Sequence, residues 1–66
     1  MAKKGKDYVG NLTGVIATVK NVTEDDVTFQ YTDFASLEKE FNEKDAKELF
    51  NQVDSLSKSD FERYYS

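Results

Sequence analysis

The sequence predicts an α+β fold, in which an N-terminal antiparallel β-hairpin or three-stranded meander is followed by two or three short helices. β-branched and aromatic residues alternate with polar ones in the first half of the chain. In the second half, apolar residues recur at helical spacing. A chain of 66 residues has room for one small domain. We therefore predict a single α+β domain over residues 7–66, preceded by a disordered basic segment, residues 1–6.

Two segments with alternating polarity form the predicted hairpin. Their apolar residues stand at every second position and so share one face of each strand. They are Val15, Ala17 and Val19 in the first segment, and Val27, Phe29 and Tyr31 in the second. The polar residues 23–26 between the segments are typical of a turn. Residues 8 and 9, which precede a Gly-Asn turn, would add a short third strand.

The apolar residues of the second half fall on two different helix faces. On a helical wheel with Leu37 at zero, the first group lies between about 0° and 60°, whereas Leu49, Phe50 and Val53 of the second group lie between about 120° and 220°. The first group is Phe34, Leu37 and Phe41; the second runs from Ala46 through Leu49, Phe50 and Val53 to Leu56. One straight helix cannot turn both groups towards one core. We predict a break within residues 42–45, with Asn42 as the N-cap of the second helix.

The end of the chain has the sequence signals of a separate short helix. Ser57 suits an N-cap and is followed three residues later by Asp60, as in a capping box. With Ser57 as the N-cap, Leu56 and Phe61 would form a hydrophobic staple. Phe61 and Tyr65 would then lie four residues apart on one helix face. These two rings either dock this helix onto the sheet as core residues or stand exposed for a partner.

The composition argues against catalysis. The chain has no Cys and no His, so it lacks a thiolate nucleophile, the commonest general base and the commonest metal ligands. It contains no Gly-rich phosphate loop and no Ser or Lys nucleophile with an evident base. Its apolar stretches are far shorter than the roughly 20 residues of a membrane span. We expect a cytoplasmic, non-enzymatic protein with no cofactor, no metal and no membrane contact.

The distribution of charge favours a protein partner over a nucleic acid. The formal net charge is −4, and twelve of the thirteen acidic residues lie between Glu24 and Glu62. Such an acidic body repels nucleic acid and attracts basic protein surfaces. A nucleic-acid binder is the opposing hypothesis, and it would use Lys20, Tyr8 and the three N-terminal lysines. Because so small a core often needs help from oligomerisation, we also expect a homodimer.

The acidic residues of the middle segment have two interpretations. Glu40, Glu43, Asp45 and Glu48 could imitate the phosphates of DNA. However, Glu40 and Glu43 each precede a lysine by four residues, which is the favourable order for ion pairs along a helix. The spacing therefore favours an ordinary solvated helix face.

The C-terminal segment resembles a known family. Seven positions of residues 56–65 fit the pattern L-S-x-S-D-F-E-x-x-Y: Leu56, Ser57, Ser59, Asp60, Phe61, Glu62 and Tyr65. In this stretch the chain resembles the small uracil-DNA glycosylase inhibitors of Bacillus phages, which are also short, acidic and free of cysteine. The resemblance implies a dimeric mimic of DNA that occupies the DNA-binding groove of the host enzyme.

The resemblance also implies roles for particular residues. Phe61 would enter an apolar recess of the enzyme, Glu62 would replace a phosphate, and Tyr65 would support the contact. Asp60 and Tyr64 complete the expected partner-binding surface. The functional hypothesis is thus a small phage-type inhibitor that occludes a host DNA-processing enzyme, with uracil-DNA glycosylase as the first expected target. The alternatives are a non-catalytic interaction or assembly module and an inhibitor of another host defence nuclease.

Overall fold

A computed structural model describes residues 2–66 and shows an antiparallel sheet of four strands together with three one- to two-turn helices. The strands are β1 (Asp7–Val9), β2 (Ile16–Val22), β3 (Asp26–Tyr31) and β4 (Val53–Ser57). The helices are α1 (Phe34–Glu40), α2 (Glu43–Leu49) and α3 (Lys58–Tyr64). The strands lie in the order β1-β2-β3-β4. This arrangement confirms the predicted α+β class, with its N-terminal strands followed by helices.

The predicted alternation separates the two faces of the sheet. On one face the side chains of Ala17, Val19, Val27 and Phe29 are fully buried, and α3 packs across them through Phe61. The opposite face is mostly polar, and polar side chains of neighbouring segments are joined there by hydrogen bonds. These join Thr18 to Asp7 and to Thr32, and Thr28 to Ser55. The sheet therefore has one dry face and one wet face, as expected of an antiparallel sheet covered on one side.

A break separates the first two helices as predicted, with Asn42 as the N-cap of α2, but it lies at Phe41 and Asn42, because residues 43–45 already belong to α2. Helix α1 ends before Phe41, whose backbone is extended, and the Asn42 side chain accepts a hydrogen bond from the Asp45 N–H to cap α2. Both helices turn apolar residues towards a second small core of Val15, Leu37 and Ala46. The helical hairpin thus covers the end of the sheet, where β2 begins and β3 ends.

The fourth strand corrects the prediction that the helical pattern of the second segment continues to Leu56. Helix α2 ends at Leu49, and Asn51 adopts a positive φ of 64°, a conformation that Asn tolerates better than most residues. The Asn51 N–H donates to the Tyr31 carbonyl, and the Gln30 amide donates to the Asn51 carbonyl. This reversal of the chain direction places β4 beside β3. Pairing with β4 satisfies backbone N–H and C=O groups of β3 that would otherwise be unpaired at the edge of the sheet.

Residues of the basic N-terminal segment form hydrogen bonds and packing contacts that are not expected of a disordered segment. The Gly5 N–H donates to the Val19 carbonyl, and the Val19 N–H donates to the Lys6 carbonyl. Ala2 packs against the core beneath α3. Met1, the first residue of this segment, lies outside the described residues.

Candidate partner-binding surfaces

Phe61, the expected anchor for a partner, belongs to the core. Its side chain is 1% exposed. Its ring centroid lies 5.6 Å from that of Tyr8, 5.4 Å from that of Phe29 and 4.8 Å from that of Tyr65, which stacks on it. A ring enclosed in this way cannot enter a recess of another protein while the domain stays folded. The core interpretation of Phe61 therefore replaces the contact role that the resemblance implied.

The local structure of α3 explains why Phe61 turns inward. The Ser57 side chain accepts a hydrogen bond from the Asp60 N–H, which confirms the predicted N-cap. Leu56, on β4 just before the cap, packs against the same core cluster as Phe61. Because β4 holds the start of α3 beside the sheet, the helix face that carries Phe61 is pressed onto Phe29.

The other residues of the expected contact surface do not share one environment. Asp60 is half-buried in the first turn of α3, whereas Glu62 lies exposed on the helix. Tyr64 is 44% exposed at the end of the helix. Tyr65 is half-buried, with its ring on Phe61 and its hydroxyl 3.2 Å from the Tyr31 hydroxyl. Only Glu62 and Tyr64 of the set are thus well exposed to solvent.

The side chain of Tyr65 is part of the packed fold, and its surroundings alter the pKa of its hydroxyl group. Burial raises the pKa of Tyr65 well above its usual range, and the hydrogen bond to Tyr31 and the nearby charge of Asp54 add to the rise. Since the ionised phenolate is disfavoured in the folded state, the folded protein binds this proton more tightly than the unfolded chain does. Stability that is present below about pH 10, the usual tyrosine pKa, is therefore lost as the pH rises through and above that value.

The variant Tyr65→Phe tests this assignment. Near pH 7 it should lose about 0.5–1.5 kcal/mol of unfolding free energy, because one hydroxyl–hydroxyl bond is removed. From about pH 9 to about pH 11 its stability should fall less steeply than that of the wild type. Urea unfolding across this pH range measures both effects, with the exposed Tyr64→Phe as the matched control. Equal slopes for wild type and Tyr65→Phe would contradict the role of this phenol.

A different surface combines an exposed aromatic ring with carboxylates. It is a shallow groove of about 370 Å³ along α2, and we call it the α2 groove. It is lined by Phe41, Asp45, Glu48, Leu49 and Gln52. Each of these positions lies three or four residues from another of the set, so they share a single side of α2 and its flanks. Phe41 is 36% exposed, so part of this residue is accessible to a partner.

The non-helical residues between α1 and α2 create this groove. Because Phe41 is extended rather than helical, its ring leaves the stripe of α1 and lies against the side of α2. Nearby, Phe34 and Phe50 pack edge to face with their centroids 5.4 Å apart. Phe50 remains 37% exposed.

The electrostatics of the groove are negative. Neither the Asp45 nor the Glu48 carboxylate pairs with a cation or accepts a hydrogen bond within residues 2–66. Lys47 pairs instead with Glu43 at 3.1 Å, on the opposite side of α2. Of the two predicted ion pairs, Glu43–Lys47 is therefore present, whereas Glu40 in α1 and Lys44 in α2 form no ion pair within residues 2–66. The carboxylates of Asp45 and Glu48 are not neutralised by either pair.

Sequence reasoning missed the groove because it treated Phe41 as part of the α1 core stripe. The available signal was the spacing of Phe41, Asp45 and Leu49, which places an aromatic residue, a carboxylate and a leucine on one side once the helix starts at Asn42. This spacing can be interpreted as a groove only after Phe41 is known to lie outside both helices.

Comparison with family models, with curated proteins and with solved structures finds no match for this chain. No helix within residues 2–66 has the length and hydropathy to cross a membrane. The same part of the chain brings together no group of three or more acidic residues in a position to hold a metal ion.

Proposed function

We propose that this protein is a non-catalytic binding module that docks through the α2 groove onto a basic surface of a partner protein. The observation that supports the proposal is the juxtaposition of the exposed Phe41 ring with the unpaired carboxylates of Asp45 and Glu48. Aromatic residues are enriched among the side chains that dominate binding energy at protein interfaces. Flanking carboxylates select partners of opposite charge and accelerate their association.

The groove supports a protein partner better than a nucleic acid. Asp45 and Glu48 would repel phosphate groups, and the chain as a whole carries a formal net charge of −4. Basic clefts that normally hold DNA are one class of protein surface with the required charge. We therefore keep inhibition of a host DNA-processing enzyme as the narrower form of this proposal, now based on Phe41 instead of Phe61.

Bacterial uracil-DNA glycosylase, the target implied by the resemblance, is the first probe. Inhibition of uracil excision should be measured with wild type, Phe41→Ala and Glu48→Lys. Each substitution should raise the inhibition constant roughly tenfold, because it removes either the aromatic anchor or the charge complementarity. The association rate should fall steeply between about 50 and about 500 mM salt.

Matched controls separate the groove from general effects of charge and aromatic content. Glu24→Lys makes the same charge change in the β2–β3 turn, and Tyr64→Ala removes an exposed ring from α3; both should inhibit as the wild type does. Absence of inhibition by the wild type would refute the glycosylase as target. Affinity capture from bacterial lysate then tests the module itself, and an identical set of proteins on wild type and on the Phe41→Ala/Glu48→Lys double variant would refute the α2 groove.

A further inference from the structure

The two edges of the sheet are not equivalent. At the β1 edge, Val9 and Ser66 exchange a pair of backbone hydrogen bonds, and the Asn11 N–H donates to the Tyr64 carbonyl. The C-terminal residues thus cover this edge. No backbone segment within residues 2–66 pairs with the outer side of β4. The sheet therefore has an uncovered edge formed by a strand whose first residue, Val53, is 57% exposed.

The register shows which backbone groups of β4 face outward. Lys58 donates to the Asp25 carbonyl directly opposite it, and bonded pairs alternate along an antiparallel ladder. Asp54 and Leu56 therefore bond to β3, while the N–H and C=O groups of Val53 and Ser55 point away from the sheet. In the free protein the outward Ser55 N–H donates to the carboxylate of Asp54 at 2.8 Å.

An apolar groove of about 220 Å³ adjoins this edge on the core side of the sheet. Leu56, Tyr64 and Tyr65 line it, and Leu12 from the β1–β2 loop stands at its far end with its side chain 88% exposed. Asp54 and Leu56 turn their side chains to this same side of β4, because Phe29 and Val27, their partners across the ladder, belong to the core face. A strand added to β4 would therefore place every second side chain against this groove or beside Asp54.

We propose that the β4 edge and its groove bind an extended, basic segment of a partner protein as a fifth strand. In antiparallel pairing the segment would present an apolar side chain opposite Leu56 and, two residues later, a Lys or Arg opposite Asp54. The backbone would supply affinity and the two side chains specificity, as in other cases of strand addition. On binding, the Ser55 N–H donates to the incoming strand, and the Asp54 carboxylate turns to the new cation.

Charge complementarity favours this occupant over a second copy of the chain. Antiparallel pairing of β4 with itself about Ser55 would satisfy the outward backbone groups. It would also bring Asp54 diagonally across from Asp54 of the second copy, at a separation of about 7–8 Å where the two like charges still repel each other. This repulsion disfavours the expected homodimer at this edge. This surface is separate from the α2 groove, so the proposal does not depend on the function proposed above.

Amide chemical shifts during peptide titration test the proposal. The probe is the peptide Thr-Thr-Val-Thr-Lys-Thr-Thr, and its twin carries Glu in place of Lys. At about 50 mM salt, where screening is weak, the Lys peptide should shift the amides of Val53, Ser55, Leu12 and Tyr64. The Glu peptide should bind roughly fivefold more weakly, because a like charge replaces an opposite one.

Three variants sharpen the outcome. Asp54→Lys should reverse the peptide preference, and Glu24→Lys, with the same charge change elsewhere, should keep it. Ser55→Pro removes the outward N–H at a position where an edge strand tolerates proline, and it should abolish binding while leaving the remaining shifts native. The proposal is overturned by absence of saturable shifts at about 2 mM peptide, by equal binding of both peptides, by shifts confined to the α2 groove, or by self-association of the wild type through β4.

Discussion

Phe61→Ala should destabilise the domain by about 3–5 kcal/mol, because truncation of a buried Phe combines lost apolar burial with a cavity. Here the cavity would open at the centre of an aromatic cluster, since the Phe61 ring lies against Tyr8, Phe29 and Tyr65 at once. A domain of this size has little stability in reserve. We therefore expect the Phe61→Ala variant to be largely unfolded even without urea. Urea unfolding followed by far-ultraviolet circular dichroism measures this.

Tyr64→Ala is the matched control for this prediction. It removes an aromatic ring from the neighbouring position of the same helix, but that ring is 44% exposed. Its cost should stay below about 1 kcal/mol, since exposed positions away from special features tolerate substitution. Phe61→Leu, which keeps most of the apolar volume, should fall between the two. A Phe61→Ala protein with the unfolding midpoint of the wild type would show that the ring is not in the core.

The strands and helices whose signals are local could be predicted from the sequence. The alternation of Val27, Phe29 and Tyr31 identified β3, because a period of two is visible within a few consecutive residues. The caps Asn42 and Ser57 identified the starts of α2 and α3 for the same reason. None of these features depends on a contact between distant parts of the chain.

Strand β4 could not be predicted because its reasons are not local. Val53 and Leu56 are spaced as in a helix, and only the left-handed backbone at Asn51 and the unpaired side of β3 make this segment a strand. The orientation of α3 depends in turn on β4. For this reason the sequence left open whether Phe61 faces the core or a partner, and the resemblance to the inhibitor family favoured the answer that the fold does not support.

The helical hairpin depends on a single large buried side chain, Leu37. Within residues 2–66, its cluster contains only Val15 and Ala46 as other buried apolar residues, with Tyr31, Phe34 and Leu49 packed around them. Leu37→Ala should cost about 2–5 kcal/mol, because the neighbouring Ala46 is too small to fill the space. Exposed Leu12→Ala, the same truncation in the β1–β2 loop, should change stability by less than about 0.5 kcal/mol.

The result of Leu37→Ala also tells whether the two cores unfold together. Tyr31 contacts both clusters, and the Ser36 hydroxyl in α1 accepts a hydrogen bond from the Ile16 N–H in β2. These connections should couple the hairpin to the sheet. Loss of helical circular dichroism and loss of the near-ultraviolet tyrosine signal should therefore share one urea midpoint, lowered in the variant. If the part of the helical signal that α1 and α2 contribute is instead lost first while the tyrosine signal keeps its wild-type midpoint, the α2 groove lies on a separately unfolding unit. Binding of a partner would then have to order the helical hairpin. It would have to supply the free energy that Leu37 supplies in the intact domain.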